Sequence, residues 1–285
     1  MLTVKAYAKI NLSLEVLGKL ESGYHRIVSV MQTINLSDEI SYVLSNELTV
    51  QSNLPSLDTP DNLVLKAADI LKQYTGYPGG VNIYLKKTIP AASGLGGGSS
   101  DAAATLRALC NLWDLETEDK ELEDLASTIG SDVPFFLSGG TAIAEGRGEI
   151  IHKLPLMPTV YLVILTPDME MPYKTANMYA HLTPKDYTAG EISFGLKSCL
   201  ENGKQPDDKL FFNVFERVAF DLLPQLQIYR RAMLQAGASC VRLTGSGPAL
   251  YTMESYKDKA IAMAERLRES GYKPYLTCTI DPSSD

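Results

Sequence analysis

The chain has 285 residues, with 26 Lys and Arg against 34 Asp and Glu for a formal net charge of −8, and 45% of its residues are hydrophobic. That length exceeds what one hydrophobic core usually organises, so two domains are expected. The acidic balance argues against general affinity for nucleic acid or anionic membrane, and a phosphorylated ligand would need a local site rich in N–H groups or cations.

Cys110, Cys199, Cys240 and Cys278 stand far apart, with no CxxC pair and no histidine at ligand spacing. Buried free thiols in a reducing compartment are expected, rather than a zinc site or redox pair. The first residues lack the pattern of a signal peptide and no apolar run approaches membrane-span length, which predicts a cytoplasmic protein.

In chain order, the even positions of residues 4–16 read Val, Ala, Ala, Ile, Leu, Leu, Val, and the odd ones from Lys5 to Glu15 read Lys, Tyr, Lys, Asn, Ser, Glu. This alternation predicts a strand with one core face; the polar face suits either plain solvation or a site. Short strands are expected over residues 27–34, 40–44 and 48–50, in an antiparallel sheet. Residues 59–62, Thr-Pro-Asp-Asn, offer N-cap chemistry to a helix running to Gly76, and a strand over 81–87 feeds a glycine-rich loop.

That loop reads Pro90-Ala91-Ala92-Ser93-Gly94-Leu95-Gly96-Gly97-Gly98-Ser99-Ser100-Asp101 and opens an Ala-rich helix. Glycines allow close backbone approach to a ligand, and a helix start supplies unpaired N–H groups, so the order suits an anion. No lysine follows the glycines as in a P-loop, and the last position of a dinucleotide fingerprint is taken by Ser99. Asp101 is expected to support the helix dipole.

The acidic residues 116–124 begin a solvent-faced helix. Asp132 lies between Gly130 and an apolar cluster, where a turn or N-cap role is open, and a hairpin is expected over 141–152. Residues 154–158, with two prolines, read as the domain linker. Beyond it, strands over 160–165, 240–243, 249–253 and 275–280 alternate with helices over 173–181, 192–200, 214–220, 225–236 and 257–270. Antiparallel strands with helices on one face give an α+β, ferredoxin-like second domain.

The loop from Pro90 to Asp101 resembles the phosphate loop of the GHMP kinases, the superfamily of galactokinase, homoserine kinase and mevalonate kinase. Three further segments are similar to that family in the expected order: residues 6–14 with Gly23-Tyr24-His25, residues 129–136, and residues 243–248. The resemblance implies an N-terminal domain of ribosomal protein S5 domain 2-like type, residues 1–153, and a ferredoxin-like GHMP kinase domain, residues 154–285, with the site in the cleft between them.

It also implies roles. Lys9 and Asp132 are the catalytic pair, and Pro90, Ala91, Ala92, Ser93, Gly94, Leu95, Gly96, Gly97, Gly98, Ser99 and Ser100 bind ATP. Magnesium accompanies the nucleotide, held largely by phosphates and water with Ser99 or Ser100 as candidate contacts. The pattern is nearest to members whose small-molecule substrate is a cytidyl diphosphate of methylerythritol, phosphorylated at its C2 hydroxyl in non-mevalonate isoprenoid synthesis. Asn11, Tyr24, His25, Thr175 and Tyr179 then bind substrate: Tyr24 by stacking on the base, His25 by hydrogen bonds to its edge, Tyr179 as a second aromatic. On the residues alone, Tyr24-His25 is also a surface pair, Tyr179 also helix packing, Gly245-Ser246-Gly247 also a tight turn, and Asn213 with Glu216 also a helix cap. Another small alcohol, of homoserine or mevalonate type, and more remotely a non-catalytic RNA-binding module of S5-like fold, stay as rival readings.

Overall fold

The computed structural model describes residues 1–167 and 174–282. By contacts the chain sorts into two units that interleave in sequence, the first comprising Met1–Ala8, Leu36–Ala91 and Gly96–Gly139, the second Lys9–Asn35, Ala92–Leu95 and Gly140–Asp285. Two long strands, β1 (Leu2–Lys19) and β2 (His25–Ser45), contribute residues to both.

In the first unit the remaining elements are β3 (Leu48–Ser52), α1 (Leu63–Thr75), β4 (Gly80–Lys86), α2 (Gly97–Leu112), α3 (Asp119–Ile129) and α4 (Val133–Ser138). Strand β4 pairs antiparallel with β2 over residues 39–45, and β2 lies next to β1. Strand β3 is parallel to β4 rather than antiparallel, because α1 carries the chain between them as a crossover. Helix α1 begins where the Asn62 side chain accepts from the Val64 amide at 3.0 Å and ends at Gly76, whose φ of 70° is the left-handed cap that glycine supplies without strain. Its inward face, Val64, Ala67, Ala68 and Leu71, packs in one core with Ala102, Leu106 and Leu109 of α2 and Ile40, Val81 and Ile83 of the sheet.

The expected break between residues 34 and 40 does not occur, and β2 runs through it. Leu36, Asp38 and Ile40 are all buried, so the inward alternation continues with a carboxylate in an apolar position. Asp38 sits there because its charge is met by Lys87 and by backbone amides. The stretch between the two expected strands is therefore strand as well.

The second unit adds β5 (Thr141–Glu145), β6 (Ile150–Lys153), β7 (Tyr161–Leu165), α5 (Lys174–Ala180), α6 (Glu191–Glu201), β8 (Phe212–Asn213), α7 (Phe215–Leu222), α8 (Leu226–Gln235), β9 (Arg242–Leu243), β10 (Leu250–Glu254), α9 (Lys257–Glu269) and β11 (Tyr275–Cys278). The hairpin β5–β6 joins β2 antiparallel at residues 29–32, and β8, too short to stand out in the sequence, pairs parallel with β1. A separate antiparallel sheet runs β11-β7-β10-β9, and a core of Val163, Leu165, Phe215, Val218, Met233, Leu250, Met263 and Leu267 joins it to α7, α8 and α9. Of the helix expected from residue 173, Tyr173 lies outside the described residues. The four cysteines are free thiols, but only Cys110 is buried; Cys199, Cys240 and Cys278, expected to be buried too, are partly exposed.

Leu71 is fully buried in the first core. Truncation to alanine removes about 2–5 kcal/mol, through lost transfer energy and the cavity left behind. Urea denaturation of Leu71→Ala checks this, and a loss below about 1 kcal/mol would show that the site collapses around the gap.

Candidate active site

The odd face of β1 is not solvated beyond Lys5: Lys9 is 2% exposed, Asn11 4%, and Ser13 and Glu15 are 0%. A buried polar face survives only where its groups find partners. Lys9 Nζ donates to Asn11 Oδ1 at 2.6 Å, and the same oxygen accepts from the Gly245 amide at 2.9 Å. Asn11 Nδ2 donates to Ser29 Oγ at 2.8 Å, and Ser29 Oγ donates to the Ser13 carbonyl at 2.6 Å. The backbone of Asn11 is held as well, its amide by Thr244 Oγ1 at 3.1 Å and its carbonyl by the Tyr251 hydroxyl at 2.8 Å. Asn11, expected to face substrate, is thus also the side chain that seats the Lys9 ammonium.

The turn at residues 244–247 meets the first half of the glycine loop. Gly94 has φ 89°, and a Cβ on it would lie 2.2 Å from the Thr244 carbonyl oxygen, so only glycine lets the two backbones approach. The Ser93 carbonyl accepts from the Ala249 amide at 3.0 Å and the Leu95 carbonyl from the Lys9 amide at 2.9 Å. Asn213 supports the turn, donating to the carbonyls of Leu243 at 3.0 Å and Gly245 at 2.8 Å, while its Oδ1 caps α7 through the Phe215 amide. Glu216 accepts from the Leu243 amide at 3.1 Å, and burial pushes its carboxyl above the usual range despite that bond and the Arg242 and Arg230 cations.

The second half of the loop becomes α2, entered from Gly96 at φ 74°. Pro90 and Ala91 precede it, and Ala92, at φ 51°, holds a left-handed conformation uncommon for a residue with a Cβ. The first amides of α2 lack helical acceptors and are suited to phosphate. Ser100 Oγ donates to the Tyr7 carbonyl at 2.6 Å. Asp101 does not lie in the first turn, where it would support the dipole; it is buried and pairs with Lys87 Nζ at 2.7 Å. Burial pushes Asp101 up to about 7 although Lys87 pulls it down, and the neighbouring Asp38 raises it further. Asp132 is the residue that enters α4, and its side chain does not cap that helix.

The remaining aromatic candidates gather in part. His25 stacks on Tyr179 with centroids 4.7 Å apart, and Tyr187 meets His25 edge-on at 6.1 Å. Tyr179 in turn meets Phe215 edge-on at 4.9 Å. Burial, together with the Lys19 cation, holds the His25 imidazole below its ordinary value, so the neutral ring presents one donor and one acceptor. Tyr24 is 58% exposed, with the Arg147 guanidinium 5.2 Å from its ring centroid. Thr175 Oγ1 lies 3.1 Å from Ser246 Oγ, which joins the α5 hydroxyl to the 244–247 turn. Tyr187 and Arg147 carry no motif of their own; only their nearness to His25 and Tyr24 marks them.

Residues 62–140 match the family described as GHMP kinases N terminal domain, and residues 196–273 match GHMP kinases C terminal. A 4-diphosphocytidyl-2-C-methyl-D-erythritol kinase of Dehalococcoides mccartyi is 41% identical over 283 residues, 99% of each chain. The chain belongs to the GHMP kinases. It is a small-molecule kinase with the two-domain α+β fold of that family. A crystal structure of a 4-(cytidine 5'-diphospho)-2C-methyl-D-erythritol kinase superposes with TM-score 0.82 at 34% identity, covering 98% of this chain and 99% of the other. Homoserine kinase from Cytophaga hutchinsonii, at 19% identity and TM-score 0.69 over 98% of this chain and 95% of its own, shares the fold.

The side chains of this kinase fit magnesium only as a partner of phosphate. Among the described residues no three His, Cys, Asp or Glu side chains gather as ligands, and Lys87 occupies one Asp101 oxygen. Ser99 Oγ remains, with the lone pairs of Ser100 Oγ, whose hydrogen is committed to Tyr7. That donor set suits a cation that keeps water and phosphate oxygens.

The close approach at Gly94 generates a test. Gly94→Ala is expected to raise the KM for ATP at least about tenfold, because the loop must move away from Thr244 to admit the methyl group. Steady-state kinetics at varied ATP checks it, and an unchanged KM would contradict the packing described.

Proposed function

We propose that this kinase transfers the γ-phosphoryl group of ATP to the C2 hydroxyl of 4-diphosphocytidyl-2-C-methyl-D-erythritol, giving the 2-phosphate and ADP, a step of isoprenoid precursor synthesis. What carries the reading is the stacked His25–Tyr179 pair, with Tyr24 next to His25 in sequence, on a chain that resembles over its whole length relatives named for that substrate. Homoserine and mevalonate offer no aromatic base for such groups to hold.

In this reading the loop of residues 90–100 binds the triphosphate, mostly through backbone N–H groups, and magnesium, when bound with the nucleotide, would neutralise charge on the phosphate oxygens. The Lys9 ammonium, seated by Asn11, stabilises negative charge on the hydroxyl oxygen and on the phosphoryl group in flight. The C2 oxygen forms its bond to the γ-phosphorus as the bond to the β–γ bridging oxygen breaks and ADP leaves. An alcohol is far too weak an acid to ionise first, so its proton passes late to the Asp132 carboxylate. His25 hydrogen-bonds the cytosine edge, Tyr24 and Tyr179 offer their rings to the base, and Thr175 and Asn11 contact the substrate's polar groups.

The division into residues 1–153 and 154–285 belongs to the same proposal, supported by family matches that end at 140 and resume at 196. A cytoplasmic site of action suits four free thiols.

An ADP-release assay with the cytidyl substrate, homoserine and mevalonate separates the candidates, and release driven by either of the latter alone would sink the proposal. Asp132→Asn is expected to lower kcat by at least about a thousandfold, with ATP affinity changed less than about threefold. Wild-type turnover in that variant would remove Asp132 from the chemistry.

A further inference from the structure

A buried ion triad lies beside the loop. Asp38, Lys87 and Asp101 have side chains 0%, 4% and 3% exposed. Lys87 Nζ donates to Asp38 Oδ2 and, at 2.7 Å, to Asp101 Oδ2. The other Asp38 oxygen accepts the amides of Thr88 at 2.5 Å and Ile89 at 2.9 Å, the two residues that lead into Pro90. Asp101 belongs to α2, the helix that begins where the loop ends. One carboxylate on β2 therefore holds the entrance of the loop directly and its exit through a single lysine.

Packing repeats the same constraint. A Cβ on Gly97, the first residue of α2, would lie 3.0 Å from Ile89 Cγ2 and 3.1 Å from Lys87 Nζ. The two ends of the loop are thus in contact, with the lysine wedged beside them. Burying three charges is a poor way to gain stability, since apolar side chains of similar volume often do as well or better. A charged cluster does, however, fix distances that apolar contacts leave adjustable.

We propose that Asp38, Lys87 and Asp101 are positioning residues that set the distance between the two ends of the phosphate loop, and so its fit to the phosphates of ATP. The proposal rests on the reading of this loop as the ATP site. The groups do not touch the reacting atoms; they act through the backbone amides of Thr88 and Ile89 and the first turn of α2. Asp101→Ala cuts the link to α2 while leaving the Asp38 contacts in place. Asp101→Asn restores an acceptor for Lys87. Asp38→Asn removes the charge that holds the loop entrance.

The test is steady-state kinetics in both substrates, with ATP-induced shifts in Tm, on wild type and the three variants after circular dichroism has confirmed folding. Asp101→Ala and Asp38→Asn are expected to raise the KM for ATP at least about tenfold, with kcat at saturating ATP and the KM of the alcohol substrate within about twofold of wild type. Asp101→Asn is expected to recover most of the lost affinity. A destabilised Asp101→Ala that keeps a wild-type KM for ATP overturns the proposal, since a purely structural role predicts that result. Should Asp38→Asn not fold, the Asp101→Ala and Asp101→Asn pair decides alone, and equal impairment of the two also overturns it. Failure of the wild type to respond to ATP at all would instead remove the reading of the loop on which the proposal rests.

Discussion

An ammonium group can be buried only where hydrogen bonds replace its water, and much of the second unit is arranged to meet that condition at Lys9. Asn11 is the residue that meets it, with a carboxamide oxygen turned to the lysine and to the Gly245 amide and a nitrogen turned to Ser29. Because Asn11 is itself fixed by Thr244 and Tyr251, the position of the cation depends on the turn at 244–247 and on β10. A charge held this firmly needs no reorganisation should negative charge develop next to it.

The glycine-rich loop obeys a second constraint, that its ends be fixed. In its middle, Gly94 passes too close to the Thr244 carbonyl for any other residue. Its entrance is held directly by Asp38, and its exit by Asp101, which Lys87 links to Asp38. Lys9 and the glycine-rich loop thus follow one rule, in which buried polar groups are retained for the positions they impose.

Much of this was legible in the sequence because local chemistry and long-range structure agree. The Asn62 cap, the helix to Gly76, the 141–152 hairpin and the alternation of β1 appear where the residues place them. The inward turn of the polar face of β1 was not legible, since alternation says which residues share a face and not whether that face meets water. The gap expected between residues 34 and 40 has a related cause: a carboxylate in an apolar register interrupts the pattern until its partner, 49 residues later, is known. Lys87 reads as the charged end of a strand, and only the fold shows that it joins two carboxylates. The His25–Tyr179 stack links residues more than 150 positions apart, and neither ring announces the other in the chain.

The account stands or falls on where the phosphoryl group goes. The most direct measurement is phosphorus NMR of the product formed by the wild-type enzyme from ATP and the cytidyl diphosphate substrate. The account predicts a new phosphomonoester resonance on the C2 oxygen of the methylerythritol unit, appearing in step with ADP while the diphosphate bridge stays intact. Phosphate released to water, or a phosphoryl group on any other oxygen of the substrate, would contradict it.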